Sequence, residues 1–298
     1  MSASSGRGDS EQAPEVITSK DNRWLKQFRA ALGGSSAAEE AGALTGVEGA
    51  RAVETALRSG AEVAAVLVSE SGTTHLEKLR EWMPETARVL RTTDRLFTQA
   101  AGTETPQGIA ALVKPLVATL DDLLRGTPLV LLMAGVQDPG NVGALVRTAE
   151  ALGATGAAAC AAGGIGTANP FGPKALRASA GAALRLPILR GVATPILLAQ
   201  LRVAGVRVYA ASPDAPGALA PWEADWRGPS ALLVGNEGAG LPPELVRSAD
   251  AAVRIPQAAG AAGMDSLNAA VAGSILLYEA ARQRRRGADT EANAASGT

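Results

Sequence analysis

The 298-residue sequence contains one cysteine and one histidine. A lone Cys160 cannot close an internal disulfide, and without further Cys or His a zinc cluster is excluded. A single His75 leaves little room for Ser-His-Asp or His-metal chemistry. Long hydrophobic runs are also missing: apolar stretches are broken by Gly, Pro or charge before reaching the roughly 20 residues of a membrane span. The opening MSASSGRGDSEQAPE has no apolar core, so no secretory signal is expected. Neither sign of charge dominates, with 28 Lys+Arg against 29 Asp+Glu, so no global attraction to nucleic acid is expected. Hydrophobic residues nevertheless make up 47%, an ordinary globular share that excludes wholesale disorder. The expectation is a soluble, cytoplasmic protein. Its chemistry would rest on carboxylates, hydroxyls, amides, Arg and Lys, backbone groups or an organic cofactor.

At about 150 residues per domain, the length predicts two domains. Small polar residues predict disordered tails over 1–14 and 286–298. Residues 15–116 read as a small α/β domain, with strands at 64–69 and 108–113 and a helix from Glu48 to Gly60. Residues 117–127 read as a linker carrying a short helix, and 128–285 as a second α/β domain. There, strands are predicted at 129–136, 155–160, 206–212, 230–235 and 251–255. Helices are predicted after the turn at 137–143, at 171–181, 194–204 and 242–248, and from Leu267 to Arg285. The near-continuous apolar run at 129–136 fits a strand covered on both faces, and the alternation predicts a mostly parallel sheet.

Three loops that follow strands could carry chemistry, because ligands in open α/β sheets bind beyond the carboxyl ends of strands. In DPGNVGALVRTAEALG (138–153), Gly140 and Gly143 allow a tight turn and close approach, Asn141 can cap the helix, and Arg147 and Glu150 stand at i, i+3. An ordinary cap with a surface ion pair would also satisfy that pattern. In LLVGNEGAGLP (232–242), three glycines surround Asn236 and Glu237, which points to unusual backbone angles or backbone contact with a ligand rather than a plain turn. In VRIPQAAGAAGMDSLNAAVAGS (253–274), Asp265 or Ser266 can cap the last helix, whose small face at Ala269, Ala272 and Gly273 suits close packing. Ser266 and Asn268 could be no more than cap residues. The glycine spacing departs from G-x-G-x-x-G, which disfavours a nucleotide-dependent oxidoreductase. Elsewhere, Lys20, Arg23, Lys26 and Arg29 form a basic stretch beside Trp24, Leu25 and Phe28, read either as a solvated helix face or as a phosphate-contacting element. His75 is expected at an exposed helix start, Cys160 in the core, and Trp222 and Trp226 packed over the core rather than stacked on a base.

Taken in order, NVGALVRTAEALG, GNEGAGL and IP…DSLNAAVA resemble the signature motifs of the SpoU (TrmH-like) RNA ribose 2′-O-methyltransferases of the SPOUT superfamily. KALRASAGA (174–182), with Arg177, Ser179 and Gly181, resembles that family as well, over roughly 128–282. TGVEGARAVETALRSGAEVAAVLVSE and TETPQGIAALVKP resemble the L30e-like substrate-binding domain that precedes the catalytic domain in many members. The resemblance implies an α/β fold: a knotted (trefoil) parallel-sheet methyltransferase domain after a smaller L30e-like domain. It further implies S-adenosyl-L-methionine as methyl donor, RNA (rRNA or tRNA) as substrate and a homodimer through the knotted domain. A non-catalytic RNA-binding or assembly protein that kept the fold is the alternative, against which the intact motif residues stand.

By the same resemblance, the donor would lie against Leu233, Val234, Gly235, Asn236, Gly240, Ile255, Pro256, Ser266 and Leu267. Catalysis would involve Arg147, Asn141, Glu237, Ser266 and Asn268, with no metal. Arg147 is the family's proposed activator of the ribose hydroxyl. A guanidinium stays protonated and offers no acceptor, so stabilising the developing alkoxide is favoured over literal base catalysis. Glu237 could pair with Arg147 or position the ribose, and Asn141 could fix the loop beside it. Lys20, Arg23, Lys26, Arg29 and Arg177 would contact RNA.

Overall fold

The computed structural model describes residues 15–34, 44–116, 118–258 and 266–296, with side chains as far as 287. The first domain comprises β1 (Glu15–Ile17), α1 (Arg23–Gly33), β2 (Thr45–Glu48), α2 (Ala50–Arg58), β3 (Glu62–Ser69), α3 (Thr73–Leu79), β4 (Arg88–Thr92), α4 (Asp94–Ala100) and β5 (Ile109–Lys114). Its strands lie in the order β1-β4-β3-β5-β2, the first three mutually parallel and β5 antiparallel to both of its neighbours. Successive residues of a strand face opposite sides, so β3 feeds two cores. Ala65 and Leu67 meet Leu25, Phe28 and Phe97 of α1 and α4. Val66 and Val68 belong with Val53 and Ala56 of α2. Asn22 accepts from Trp24 N–H at 2.8 Å and caps α1, so the helix begins at Arg23 and leaves Lys20 in the preceding turn.

A short α5 (Leu120–Leu123), capped reciprocally by Thr119 and Asp122, lies within the expected linker. The second domain follows as β6 (Leu129–Ala134), α6 (Pro139–Ala151), β7 (Gly156–Ala162), β8 (Ile165–Gly166), α7 (Pro173–Ala178), β9 (Ile188–Arg190), α8 (Thr194–Val203), β10 (Arg207–Ala211), β11 (Ser230–Val234), α9 (Pro243–Ser248), β12 (Ala251–Val253) and α10 (Ala269–Ser296). The strand order is β12-β10-β11-β6-β7, with β9 parallel and β8 antiparallel to β7. Every other pairing in this sheet is parallel. β11 enters between β6 and β10, although both precede it in the chain. β6 is buried along its whole length, as its unbroken apolar run predicts. α8 covers one face through Leu197, Leu198 and Leu201. α6 and α10 cover the other, meeting where Gly273 lies against Leu145.

Several boundaries differ from the sequence reading. The helix expected over 171–181 stops at Ala178, because Ala180 and Gly181 adopt positive φ (49° and 78°) before a 3₁₀ turn over Ala182–Leu184. The last helix starts two residues later than expected, at Ala269. It continues to Ser296, where a tail was expected; Arg, Gln, Glu and Ala extend an already nucleated helix at little cost. The tail expected over 1–14 lies outside the described residues. Trp226 is fully buried against Tyr209, with ring centroids 4.4 Å apart, whereas Trp222 is exposed, contrary to expectation. Cys160 is buried as expected, and burial pushes its thiol up to about 11. His75 stands at the start of α3 but is half-buried rather than exposed.

The domains are packed against each other. The Thr45 hydroxyl donates to the Phe171 carbonyl, Thr55 lies against Gly181, and one buried cluster runs from Val53 and Ala56 to Ala182 and Leu184.

Candidate active site

The carboxyl ends of β6, β11 and β12 carry the three loops, and a carboxylate joins the first two. Glu237, after β11, accepts from the backbone N–H of Gln137 (3.1 Å) and Asp138 (3.0 Å) and from the Asn141 amide (2.9 Å). Asn268 donates to Asn141 at 3.1 Å and accepts from the N–H of Ala270 (2.9 Å) and Val271 (3.2 Å), tying in the start of α10. Burial pushes the Glu237 carboxyl up. The hydrogen bonds from Asn141, Gln137 and Asp138 outweigh that and hold it below the usual glutamate range. Glu237 therefore spends its acceptors on Asn141 and the β6–α6 loop, and the pairing with Arg147 entertained from sequence is absent.

One cap differs from expectation, and another falls on one of the alternatives the sequence left open. Asp138, not Asn141, caps α6 by accepting from Gly140 N–H, with Pro139 at the first helical position. Asn141 is thereby released to reach across to Glu237. Asn268 caps α10 in place of Ser266, while Asp265 lies outside the described residues.

Asn236 supports the second loop. Its side chain donates to the Gly135 carbonyl at 2.9 Å and accepts from Gly238 and Ala239 N–H, both at 2.9 Å. Its backbone exchanges hydrogen bonds with Gly240. This fold-back explains the glycines: a Cβ on Gly235 would stand 2.6 Å from the Gly240 carbonyl carbon. Gly143 answers a second close approach, since a Cβ there would lie 2.5 Å from the Ala175 carbonyl oxygen of α7.

Beside this network lies a cavity of about 710 Å³. Val234, Gly235, Asn236, Glu237, Gly240, Ile255, Ser266 and Leu267 line it. Leu233 does not: its alternate position on β11 turns it into the core beneath α8. Pro256 is exposed and also absent from the wall. Asp214, Arg247 and Arg254 line the cavity too, and nothing in their local sequence marks them. The volume falls within the range of about 300–1,000 Å³ usual for small-molecule sites.

Arg147 projects from α6 exposed, and among the described residues it has no hydrogen bond or ion pair. Glu150, its i+3 neighbour, is instead held by both guanidinium arms of Arg185 at 2.7 Å. Asn141, Arg147 and Asn268 stand outside the cavity wall, whereas Glu237 and Asn236 both hold the β6–α6 loop and line the cavity. Arg177 of α7 is exposed, and α7 packs along α6. Lys20, Arg23, Lys26 and Arg29 are exposed on the first domain, away from these loops. Lys26 pairs with Asp21 at 3.3 Å, Arg29 donates to the Gln99 carbonyl at 3.0 Å, and Arg23 stacks over Trp24. Among the described residues, no cluster of His, Cys, Asp or Glu could hold a metal.

Residues 128–278 match the SpoU rRNA methylase family, and residues 40–111 match the MRM3-like substrate binding domain. The chain belongs to the SpoU rRNA methylase family. An uncharacterized tRNA/rRNA methyltransferase of Synechocystis is 35% identical over 63% of this chain, which spans 65% of that relative's length. The 23S rRNA (uridine(2479)-2′-O)-methyltransferase of Streptomyces viridochromogenes is 32% identical over 94% of this chain and 96% of its own. The crystal structure of an AdoMet-bound rRNA methyltransferase from Sinorhizobium meliloti superposes with a TM-score of 0.78 at 31% identity, covering 90% of this chain and 97% of that one. As a member of this family, the protein is a methyltransferase that uses S-adenosylmethionine. No described helix is long and apolar enough to cross a membrane.

Proposed function

We propose that this protein transfers a methyl group from S-adenosylmethionine to a ribose 2′-hydroxyl of structured RNA, ribosomal rather than transfer RNA. The observation that carries this is the Glu237 network beside the cavity: it joins all three motif loops and leaves Arg147 unpaired next to them. The cavity suits the donor. Val234, Leu241, Ile255 and Leu267 offer apolar walls for adenine and methylene groups, and Asp214, Arg247 and Arg254 offer charges opposite in sign to the donor's ammonium and carboxylate. When bound, S-adenosylmethionine supplies an electrophilic methyl on its sulfonium.

The chain's residues do the rest. Asn141 and Asn268 lock the start of α6 to the start of α10, and Glu237 anchors both to the β11 loop. Arg147, protonated and free, meets the charge that develops on the ribose oxygen as its proton leaves. Ser266 borders the cavity and holds its rim. Arg177, on the helix packed along α6, engages a flanking phosphate. The first domain recruits the RNA through Lys20, Arg23, Lys26 and Arg29.

The non-catalytic alternative finds no support among the relatives, which carry methyltransferase names. A homodimer is supported by an exposed apolar stripe on α10, Val271, Ile275 and Tyr278, at helical spacing beside the site. A trefoil knot is what the family match over residues 128–278 leads us to expect. A cytoplasmic location is in keeping with an rRNA substrate. The test is transfer of labelled methyl to 23S rRNA and to bulk tRNA, followed by mapping of 2′-O-methyl sites. Label on 23S rRNA at a ribose is the expected result; donor binding without transfer to any RNA would refute it.

A further inference from the structure

We infer that Thr167 is a positioning residue for methyl transfer, acting through the β6–α6 loop; the inference rests on the functional reading above. Thr167 follows β8 and belongs to none of the motifs that mark the site. Its Oγ1 lies 2.9 Å from Gly135 N and 3.2 Å from Val136 N, and 2.8 Å and 2.7 Å from the Met133 and Cys160 carbonyl oxygens. A hydroxyl has one proton and two acceptor sites. It therefore accepts from both N–H groups and gives its proton to one carbonyl, a full complement that no apolar side chain can reproduce.

The two amides it holds come immediately before Gln137 and Asp138, whose N–H groups bind Glu237. Asn236 holds the other side of the same turn through the Gly135 carbonyl. Thr167 and Asn236 thus grip Gly135 from opposite sides and set where the next two amides point. Asp138 then caps α6, and α6 carries Asn141 and Arg147. Without the hydroxyl, Gly135 N–H keeps only its 3.2 Å bond to the Cys160 carbonyl and Val136 N–H loses its acceptor. A loop loosened there would shift the helix that delivers Arg147, and a displacement of about 1 Å at a reacting group can cost roughly 100-fold.

The test uses Thr167→Val, which keeps the shape and removes the hydroxyl, and Thr167→Ser, which keeps the hydroxyl. Hydrogen exchange in the ligand-free chain should quicken at residues 135–138 in Thr167→Val and stay at the wild-type rate in Thr167→Ser. In rRNA methylation, Thr167→Val should lower kcat roughly 10- to 100-fold. KM for S-adenosylmethionine should hold, and Thr167→Ser should restore kcat. Combined with Glu237→Gln, Thr167→Val should add little further loss, because both act through one loop. Unchanged exchange at 135–138, an equal loss of kcat in both Thr167 variants, or fully additive losses in the double variant would overturn the proposal. Should Thr167→Val fail to fold, Thr167→Ala, which also lacks the hydroxyl, takes its place in the same exchange and kcat measurements. A wild-type chain that methylates no RNA would defeat the functional reading instead, and the exchange measurement would stand apart from that failure.

Discussion

Arg147 and Lys26 are both exposed cations assigned to RNA, yet the molecule treats them differently. Arg147 rides on a helix whose first turn is bound through Asn141 to Glu237 and Asn268, and no described carboxylate competes for it. Lys26 stands 3.3 Å from Asp21, and both side chains are more than half exposed (59% and 71%). An exposed pair of that kind is worth about 0–1 kcal/mol and is screened by salt. The second domain carries one unpaired cation on a helix whose start is tied down; the first spreads several cations over a surface, three of them with partners of their own. On the proposed function, the difference separates a group meant to meet a developing charge at one point from groups meant to raise local RNA concentration.

The sharpest way to break this comparison is to remove Arg147. Arg147→Ala should lower transfer by about a thousandfold, the scale of losing a group aimed at transition-state charge, while the dissociation constant for S-adenosylmethionine changes less than about twofold. Single-turnover assays and calorimetry measure the two. Parallel loss of both would make Arg147 a structural residue. Glu237→Gln comes next. The amide cannot accept with both terminal atoms, so one of the Gln137, Asp138 and Asn141 donors loses its partner and about 1–3 kcal/mol of stability goes with it. The carboxyl is held below the usual glutamate range in the folded chain. Its contribution is therefore present above the unfolded value and vanishes as pH falls through the folded one. Acid scans of melting temperature should show a shallower decline in Glu237→Gln than in wild type; superimposable curves would remove Glu237 from acid stability.

How much of this was legible in the sequence follows the same division. The parallel sheet and all three site loops could be read, because β6 and β11 are unbroken apolar runs and the glycines follow strands directly. The partners of Glu237 could not, since two of them are backbone amides, which any sequence supplies. Asp138 and Asn141 are both residue types that cap helices, and only the geometry shows that Asp138, followed by Pro139, takes that role. Thr167 and Asp214 reach the site through loops and Arg247 from α9, with no distinguishing pattern around any of them. In the first domain, β3 and β5 were visible and His75 marked the start of α3, but β1, β2, β4 and α4 were not. Their apolar positions are too few for either period to stand out.

The first domain's role is sharpened by charge reversal. Lys26→Glu with Arg29→Glu should weaken rRNA binding about tenfold at low salt and flatten the dependence of log K on log salt by roughly one unit per lost phosphate contact. Filter binding across a salt series measures both, and kcat at saturating RNA should stay at the wild-type value. An unchanged slope would exclude α1 from the interface and leave Arg177 and Arg147 as the RNA-facing cations.

The smallest expected effect probes the seam between the two regions. Ala180 is the non-glycine residue with positive φ among the described residues, and the adjacent Gly181 packs against Thr55 of the first domain. Left-handed backbone costs an L-residue about 1–2 kcal/mol, whereas glycine gives up roughly 0.5–1 kcal/mol of chain entropy. Ala180→Gly should therefore stabilise the chain by about 0.5 kcal/mol, a rise in melting temperature of about 1–2 °C. Calorimetry would detect it, and a fall instead would mean that the Ala180 methyl makes a contact worth more than the strain it carries. If the rise came with lower kcat on rRNA and unchanged donor affinity, the strained turn would be setting how the recruiting domain is held against α7, and the two regions would be coupled through it.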